Sequence, residues 1–391
     1  MDAVSVAVPQ GFEAAGVAAG IKAGGLLDVA LVTANSGSHA AAVFTVNTAV
    51  AAPVRLSRQH LSATRAIRAV VLNSGGANAA TGSPGDETAA LMASEVAGLV
   101  GCDVTQVLVC STGTIGSQLP LAEVLAGITA AAGELAAGEA ASLRAAEAIM
   151  TTDSVPKTAT YTSLDGWTVG AIAKGAGMIR PDMATMLAVI TTDAVVDNAT
   201  LDGALRAGVD RSFHELNVDG CASTNDTVIA LASGSSGKAA DREEFMTAVA
   251  RVCRDLAYHL AEDAEGASRV VVVHVSGTAD DAEARQIGRT IADSALVRSA
   301  FYGGDPNWGR IIGAMGTIAP PASIAQAAID FAGVPVARDG VAVEYDENAL
   351  AARIATGNFT VEINVGPGAG EAHVLTTDLT PEYVRFNGER S

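Results

Sequence analysis

Residues 174–194 read K-G-A-G-M-I-R-P-D-M-A-T-M-L-A-V-I-T-T-D-A, near the middle of a 391-residue chain. Gly175, Gly177 and Pro181 mark the first half as a loop, while Leu187, Val189 and Ile190 mark the second half as an apolar continuation. Thr185 stands at the junction. A lone threonine ahead of an apolar run is ordinarily a strand or cap residue. Its hydroxyl has a second capacity: it can attack the preceding carbonyl and move the acyl group from nitrogen to oxygen, after which water cleaves the ester. A cut between Ala184 and Thr185 would leave Thr185 with a nucleophilic hydroxyl and a free α-amine, a known solution for covalent catalysis. Such an amine titrates near ~7.7–8.0, so an unprotonated fraction at neutral pH can take the hydroxyl proton without a histidine.

The stretch resembles the self-cleavage site of the ornithine acetyltransferase (glutamate N-acetyltransferase) family of arginine biosynthesis, whose pattern is K-G-x-G-M-x-x-P-x-M-A-T-M-L followed by T-D-A. Every fixed position is matched, and further family-like stretches run from residue 11 to residue 391. The resemblance implies a mixed α/β, two-lobed fold with an N-terminal-nucleophile-like arrangement. It implies a precursor cut into an α chain (residues 1–184) and a β chain (residues 185–391), two copies of each forming an α2β2 heterotetramer. The implied reaction is ping-pong: Thr185 takes acetyl from N2-acetyl-L-ornithine and passes it to L-glutamate, with no metal and no organic cofactor. Whether acetyl-CoA also serves as donor stays open.

The family's site residues map onto matching motifs. Gln106 to Cys110 reads as a buried strand running into Ser111-Thr112-Gly113-Thr114-Ile115-Gly116, which by itself is a plain strand-end turn. The resemblance makes Thr112 (hydroxyl) and Gly113 (backbone N–H) the oxyanion hole, where losing one donor typically costs about 2.7–4 kcal/mol of barrier. In Met150-Thr151-Thr152-Asp153 it implies a substrate-contacting threonine, Thr152, with Thr151 undistinguished because capping explains either hydroxyl. Lys174 would pair with an amino-acid carboxylate. Glu265, in Glu265-Gly266-Ala267, would face the ammonium end of ornithine. Asn387 and Ser391 would reach substrate from the C-terminus, although only three residues separate them where the family generally has four. Asn225 and Asp226, in a V-D-G-x-x-S-T-N-D-T-like stretch, are assigned a structural role near the site. In D-P-N-W-G-R, Asp305, Asn307 and Arg310 read as a buried polar network and Trp308 as a packing anchor.

Composition excludes several classes. A net charge of −19 with no Lys/Arg run makes nucleic acid and anionic membrane poor partners. Cys102, Cys110, Cys221 and Cys253 show no metal-ligand or disulfide spacing and read as buried free thiols. The N-terminus lacks a signal-like pattern and no apolar run approaches ~18 residues, which fits a cytoplasmic enzyme. Residues 73–82, N-S-G-G-A-N-A-A-T-G, match neither a P-loop nor a dinucleotide fingerprint, so a nucleotide-binding module is disfavoured and a turn with positive φ expected. The remaining alternatives are a related aminopeptidase or amidase using the same nucleophile with water as acceptor, and a non-catalytic structural protein.

Periodicity predicts strands over 28–33, 41–46, 67–73, 106–110 and 270–275, and a hairpin over 158–173 turning at Asp165-Gly166. It predicts helices over 86–100 and 245–260, one carrying Leu201, Leu205 and Val209, and another from Leu121 through 149 with breaks at Gly133 and Gly138.

Overall fold

The computed structural model describes residues 5–179 and 186–389, so Ala184, Thr185 and Ser391 lie outside the described residues. The chain is mixed α/β and divides into two compact units. The first holds the described residues up to 176, then 186–214 and 222–260; the second holds 177–179, 215–221 and 261–389.

In the first unit, β1 (Phe12–Val17), β2 (Val29–Phe44), β3 (Ala66–Asn73), β4 (Val107–Ser111), β5 (Lys157–Thr162), β6 (Thr168–Lys174) and β7 (Leu187–Thr192) are strands, as is β9 (Thr227–Ala232), which follows a short β8 (Leu216–Asn217). Their order is β4-β3-β2-β9-β7-β6-β5, with β1 alongside β2. Among the described residues only β3–β4 and β7–β9 run parallel within this sheet. The helices are α1 (Ala52–Ala63), α2 (Gly82–Val100), α3 (Leu121–Gly133), α4 (Glu139–Ala148), α5 (Asn198–Asp210) and α6 (Arg242–Glu262).

Strand alternation explains why both faces of this sheet are covered. Val29, Leu31, Val71, Val107 and Val109 pack with Met92 and Val96 of α2 and Val124 and Ile128 of α3. The interleaved Ala30, Val32, Val70, Leu72 and Leu108 turn the other way, into a cluster with Ala145 and Ala148 of α4 and Leu187, Val189 and Ile229 of the neighbouring strands.

Sequence and structure differ at several places. The two short strands expected around 28–46 are one strand, β2, because polar Asn35, Ser36 and Gly37 are absorbed as an exposed irregularity where the register with β3 shifts between Thr33 and Ser38. By contrast, the helix from Leu121 breaks where its glycines predict: it stops at Gly133 and restarts as α4 after Gly138, whose φ is +97°, and the linking Ala136 bridges Ala14. The C-terminal helix was not anticipated. Of the four cysteines, Cys110 and Cys253 are buried as expected, while Cys102 is half-buried and Cys221 exposed.

The second unit has β8, β10 (Val270–Thr278), β11 (Ala328–Phe331), β12 (Val334–Arg338), β13 (Val341–Ala342), β14 (Phe359–Asn364) and β15 (Gly370–Thr377), in the order β13-β12-β11-β14-β10-β15-β8. Its helices are α7 (Asp281–Asp293), α8 (Ala295–Gly303), α9 (Trp308–Met315), α10 (Pro321–Ala325), α11 (Glu347–Ile354) and α12 (Pro381–Glu389). Val271, Val273 and Val275 of β10 share a core with Ile287 and Ile291 of α7 and with Phe301, Phe331 and Phe359. Asp305-Pro306-Asn307 caps a helix and does not form a buried network: Asp305 is exposed, and the Asn307 side chain accepts from the Arg310 N–H at 3.1 Å to start α9. Half-buried Trp308 does pack against that core. Among the described residues no helix is long and apolar enough to cross a membrane.

A Cβ on Gly16 of β1 would lie 2.0 Å from the Arg144 carbonyl oxygen of α4. Gly16→Ala is therefore expected to lower stability by about 1–3 kcal/mol in urea titration, and an unchanged midpoint would contradict this close approach.

Candidate active site

The segment entering β7 is fixed from two sides. Leu187 pairs with Lys174 across the antiparallel β6–β7 ladder and with Thr227 across the parallel β7–β9 ladder. Just before the ladder, the Met186 N–H donates to Asp226 Oδ1 at 3.1 Å and the Met186 carbonyl accepts from the Thr227 N–H at 3.2 Å. Met186 is thus the residue that ties Thr185, its direct chain neighbour, to the sheet.

Lys174, at the end of β6, is buried, and its Nζ donates to Thr112 Oγ1 at 3.2 Å. Because that oxygen accepts from an ammonium, the Thr112 O–H itself can donate elsewhere. Thr112 follows β4 and is held by its own N–H to the Asn73 carbonyl at 3.0 Å. Beside it, Gly113 is exposed with φ of +130°, and a Cβ there would meet Gly76 N at 2.5 Å, so only glycine fits. The Asn225 amide secures this turn by donating to the Ala77 carbonyl at 2.6 Å and the Ser111 carbonyl at 2.9 Å. The 73–82 loop has the expected positive φ at Gly75, Asn78, Ala80 and Gly82. Thr112, Lys174 and Asn225 therefore hold one hydrogen-bonded assembly, with Gly113 next to Thr112 in its turn.

Behind Lys174 lies buried Asp153, whose Oδ1 accepts from Lys157 Nζ at 2.5 Å and the Gly175 N–H at 2.6 Å, and whose Oδ2 accepts from the Thr151 N–H at 2.9 Å. Burial alone would raise its pKa, but Lys174 and Lys157 outweigh that and hold it down to about 2. The Thr151 hydroxyl also faces this carboxylate, at 3.4 Å, which separates it from Thr152. Both threonines are half-buried in the bend before β5.

Lys22 joins this group, and sequence reading passed over it. Its Nζ donates to the Met150 carbonyl at 3.0 Å, and burial lowers its pKa, opposed by Asp28 and Asp153. Asp28 accepts four successive backbone N–H groups, from Ala19 to Lys22, at 2.6–3.1 Å, and so shapes the lysine's loop. A buried aspartate six residues after a G-I-K turn was the available signal. Lys22 faces both Asp28 and Asp153, while Lys157 and Lys174 face Asp153, so the lysines sit in a mixed cluster of cations and carboxylates.

Asp226 carries the opposite anomaly. It is fully buried, and burial pushes its pKa up to about 7 against the pull of the Met186 N–H and Lys174.

Within the second unit, the Asp219 carboxylate accepts from the Met178 N–H at 2.6 Å and the Ile179 N–H at 2.9 Å, gripping a loop in which Met178 has φ of +55°. Glu265, after α6, packs its carboxyl where a Cβ on Gly177 would come within 2.5 Å. Asn387 is exposed on α12 and donates to the Tyr383 carbonyl at 3.1 Å. Among the described residues no cluster of His, Cys, Asp and Glu could hold a metal ion.

A mixed α/β scaffold that holds a lysine-supported hydroxyl next to a glycine turn, with Lys174 paired to Leu187 across the ladder, has the equipment of acyl transfer. The chain belongs to the ArgJ family, whose model matches residues 13–391. It is 45% identical over 390 residues to the arginine biosynthesis bifunctional protein ArgJ of Thermobifida fusca, covering 99% of this chain and 100% of that one. A solved arginine biosynthesis bifunctional protein ArgJ from Bacillus halodurans is 34% identical, with a TM-score of 0.50, over 51% of this chain and 98% of its own. Ornithine acetyltransferase from Mycobacterium tuberculosis, solved with ornithine, is 46% identical over 46% of this chain and 96% of its own, with a TM-score of 0.45.

The Asp153 carboxylate contributes stability that is present above the ordinary carboxylate pKa of 3.8 and lost as pH falls through its folded value of about 2. Asp153→Asn, which removes the carboxylate that faces Lys157 and Lys174, is expected to cost about 3–5 kcal/mol at pH 7. The gap to the parent should narrow between pH 4 and pH 2 in denaturant titrations, and a pH-independent gap would contradict the assignment.

Proposed function

We propose that the chain cuts itself between Ala184 and Thr185, and that Thr185 then carries acetyl from N2-acetyl-L-ornithine to L-glutamate. The observation that carries this reading is the tie between Lys174 and Thr112, one strand across from the residues that follow Thr185. Thr112 and the Gly113 N–H stabilise the tetrahedral oxyanion. Lys174 and Thr152 take the substrate's amino-acid end, Glu265 takes the ornithine ammonium, and Asn387 and Ser391 contact substrate from the C-terminus. Membership of the ArgJ family favours transfer to an amino acid over the hydrolysis expected of an aminopeptidase. The word bifunctional in the relatives' names supports acetyl-CoA as a second donor for glutamate.

Cleavage is supported by the Bacillus halodurans chain, which is almost wholly spanned by about half of this one. The α and β fragments, residues 1–184 and 185–391, stay joined because β6 lies before the cut and β7 after it in one ladder. Two copies of each make the α2β2 heterotetramer, working in the cytoplasm without metal or organic cofactor.

Thr185→Ala is expected to give one uncut, inactive chain on a denaturing gel, and a processed, active variant would eliminate the mechanism. Thr112→Val, which removes one oxyanion donor, is expected to fold yet lower kcat about 10²–10³-fold in glutamate-dependent acetyl transfer. An unchanged kcat would remove Thr112 from the oxyanion hole.

A further inference from the structure

On the proposed function, two loops of the first unit work on one substrate molecule. The Thr112-Gly113 turn serves the acyl oxygen, and the 150–153 bend carries Thr152 to the amino-acid end. Their spacing decides whether both can act at once. We propose that Lys22 is a positioning residue that holds this spacing, with its stem against the loop that backs the oxyanion turn and its ammonium on the bend. This rests on the reading of Thr152 as a substrate contact.

The lysine's own loop is fixed first. Asp28, 0% exposed just before β2, spends both carboxylate oxygens on the backbone N–H groups of Ala19, Gly20, Ile21 and Lys22. Its carbonyl accepts the Ser74 N–H at 2.9 Å, which docks this loop on residues 73–82.

Lys22 then lies along Gly75, where an added Cβ would come within 3.1 Å of Lys22 Cγ. Gly75 in turn backs the oxyanion turn: its Cα would lie 3.0 Å from a Cβ on Gly113, and the next residue, Gly76, bridges Thr112 and Thr114. At the other end of the side chain, Lys22 Nζ donates to the Met150 carbonyl at 3.0 Å, two residues before Thr152. The Ser74 hydroxyl makes a parallel tie to the Ala148 carbonyl at 2.6 Å, but that secures the end of α4 and stops short of the bend. Beyond Met150 the bend is closed by Asp153, which accepts the Thr151 N–H at 2.9 Å.

Packing alone does not call for a lysine here. Burial opposes its charge, Asp28 and Asp153 favour it, Lys174 opposes it again, and the acceptor that it meets is a neutral carbonyl. An apolar side chain of similar length would cover Gly75 without the desolvation cost, so what the ammonium adds is the hydrogen bond to the bend.

The test is steady-state acetyl transfer by the processed enzyme, varying N2-acetyl-L-ornithine and L-glutamate in turn, for Lys22→Met, Thr152→Ala and the double variant. Lys22→Met keeps the stem and loses the tie, so KM for both substrates should rise about 10-fold with kcat within about threefold of the parent. Thr152→Ala should raise KM at least as much. The double variant should go no further than Thr152→Ala alone, because a contact already removed cannot be misplaced. Effects that multiply, or a parental KM in Lys22→Met beside a defective Thr152→Ala, overturn the positioning role. A parental KM in Thr152→Ala instead removes that threonine as a substrate contact, and with it the route proposed here. Should Lys22→Met fail to fold, Lys22→Gln, whose side chain is one atom shorter, enters the same cycle with the same expected result, and multiplying effects there overturn the role equally.

Discussion

Everything at the candidate site depends on one strand register. With Leu187 opposite both Lys174 and Thr227, Met186 can occupy only one place, and its N–H and carbonyl are both taken by the residues that open β9. A slip of one residue would turn the Leu187 and Val189 side chains out of the core that holds them, so hydrophobic burial itself fixes where the threonine-bearing segment joins the sheet. Rigid elements thereby position the chemistry, and loops bring only the groups that must reach it.

The electrostatics follow from the same frame. Lys174 ends a strand whose neighbour, Gly175, binds Asp153, and its ammonium reaches Thr112 on the far side. Burying such charges is costly, and ion pairs of this kind are weak arguments for stability. On the proposed function their arrangement has an explanation: Lys174 holds the Thr112 oxygen as an acceptor and leaves its O–H to donate to the oxyanion. Two buried aspartates end up oppositely tuned. Asp153, among lysines, stays ionised, whereas Asp226, among hydroxyls and backbone, sits near neutrality.

Much of this was legible in the sequence, for identifiable reasons. Asp165-Gly166 specified the β5–β6 hairpin because Gly166 adopts φ of +87°, and the strand-end Thr112-Gly113 turn was marked by its glycine. Apolar alternation gave β3, β4 and β10. What escaped depends on tertiary partners: β2 runs through polar residues because β3 and β9 supply its ladder on either side of the irregularity. The C-terminal helix had a signal that went unread, Thr380-Pro381-Glu382, where the Thr380 hydroxyl accepts the Tyr383 N–H at 3.0 Å. The burial that shifts Lys22 and Asp226 is invisible in one dimension, since it exists only in the folded chain.

The central claim is that a peptide bond is exchanged for an acyl carrier. Intact-mass analysis of the purified protein before and after N2-acetyl-L-ornithine tests it most directly. Two chains meeting at Ala184 and Thr185, with one acetyl group gained by the C-terminal chain alone and released again by L-glutamate, is the predicted result. A single full-length mass that acetylornithine leaves unchanged would contradict it.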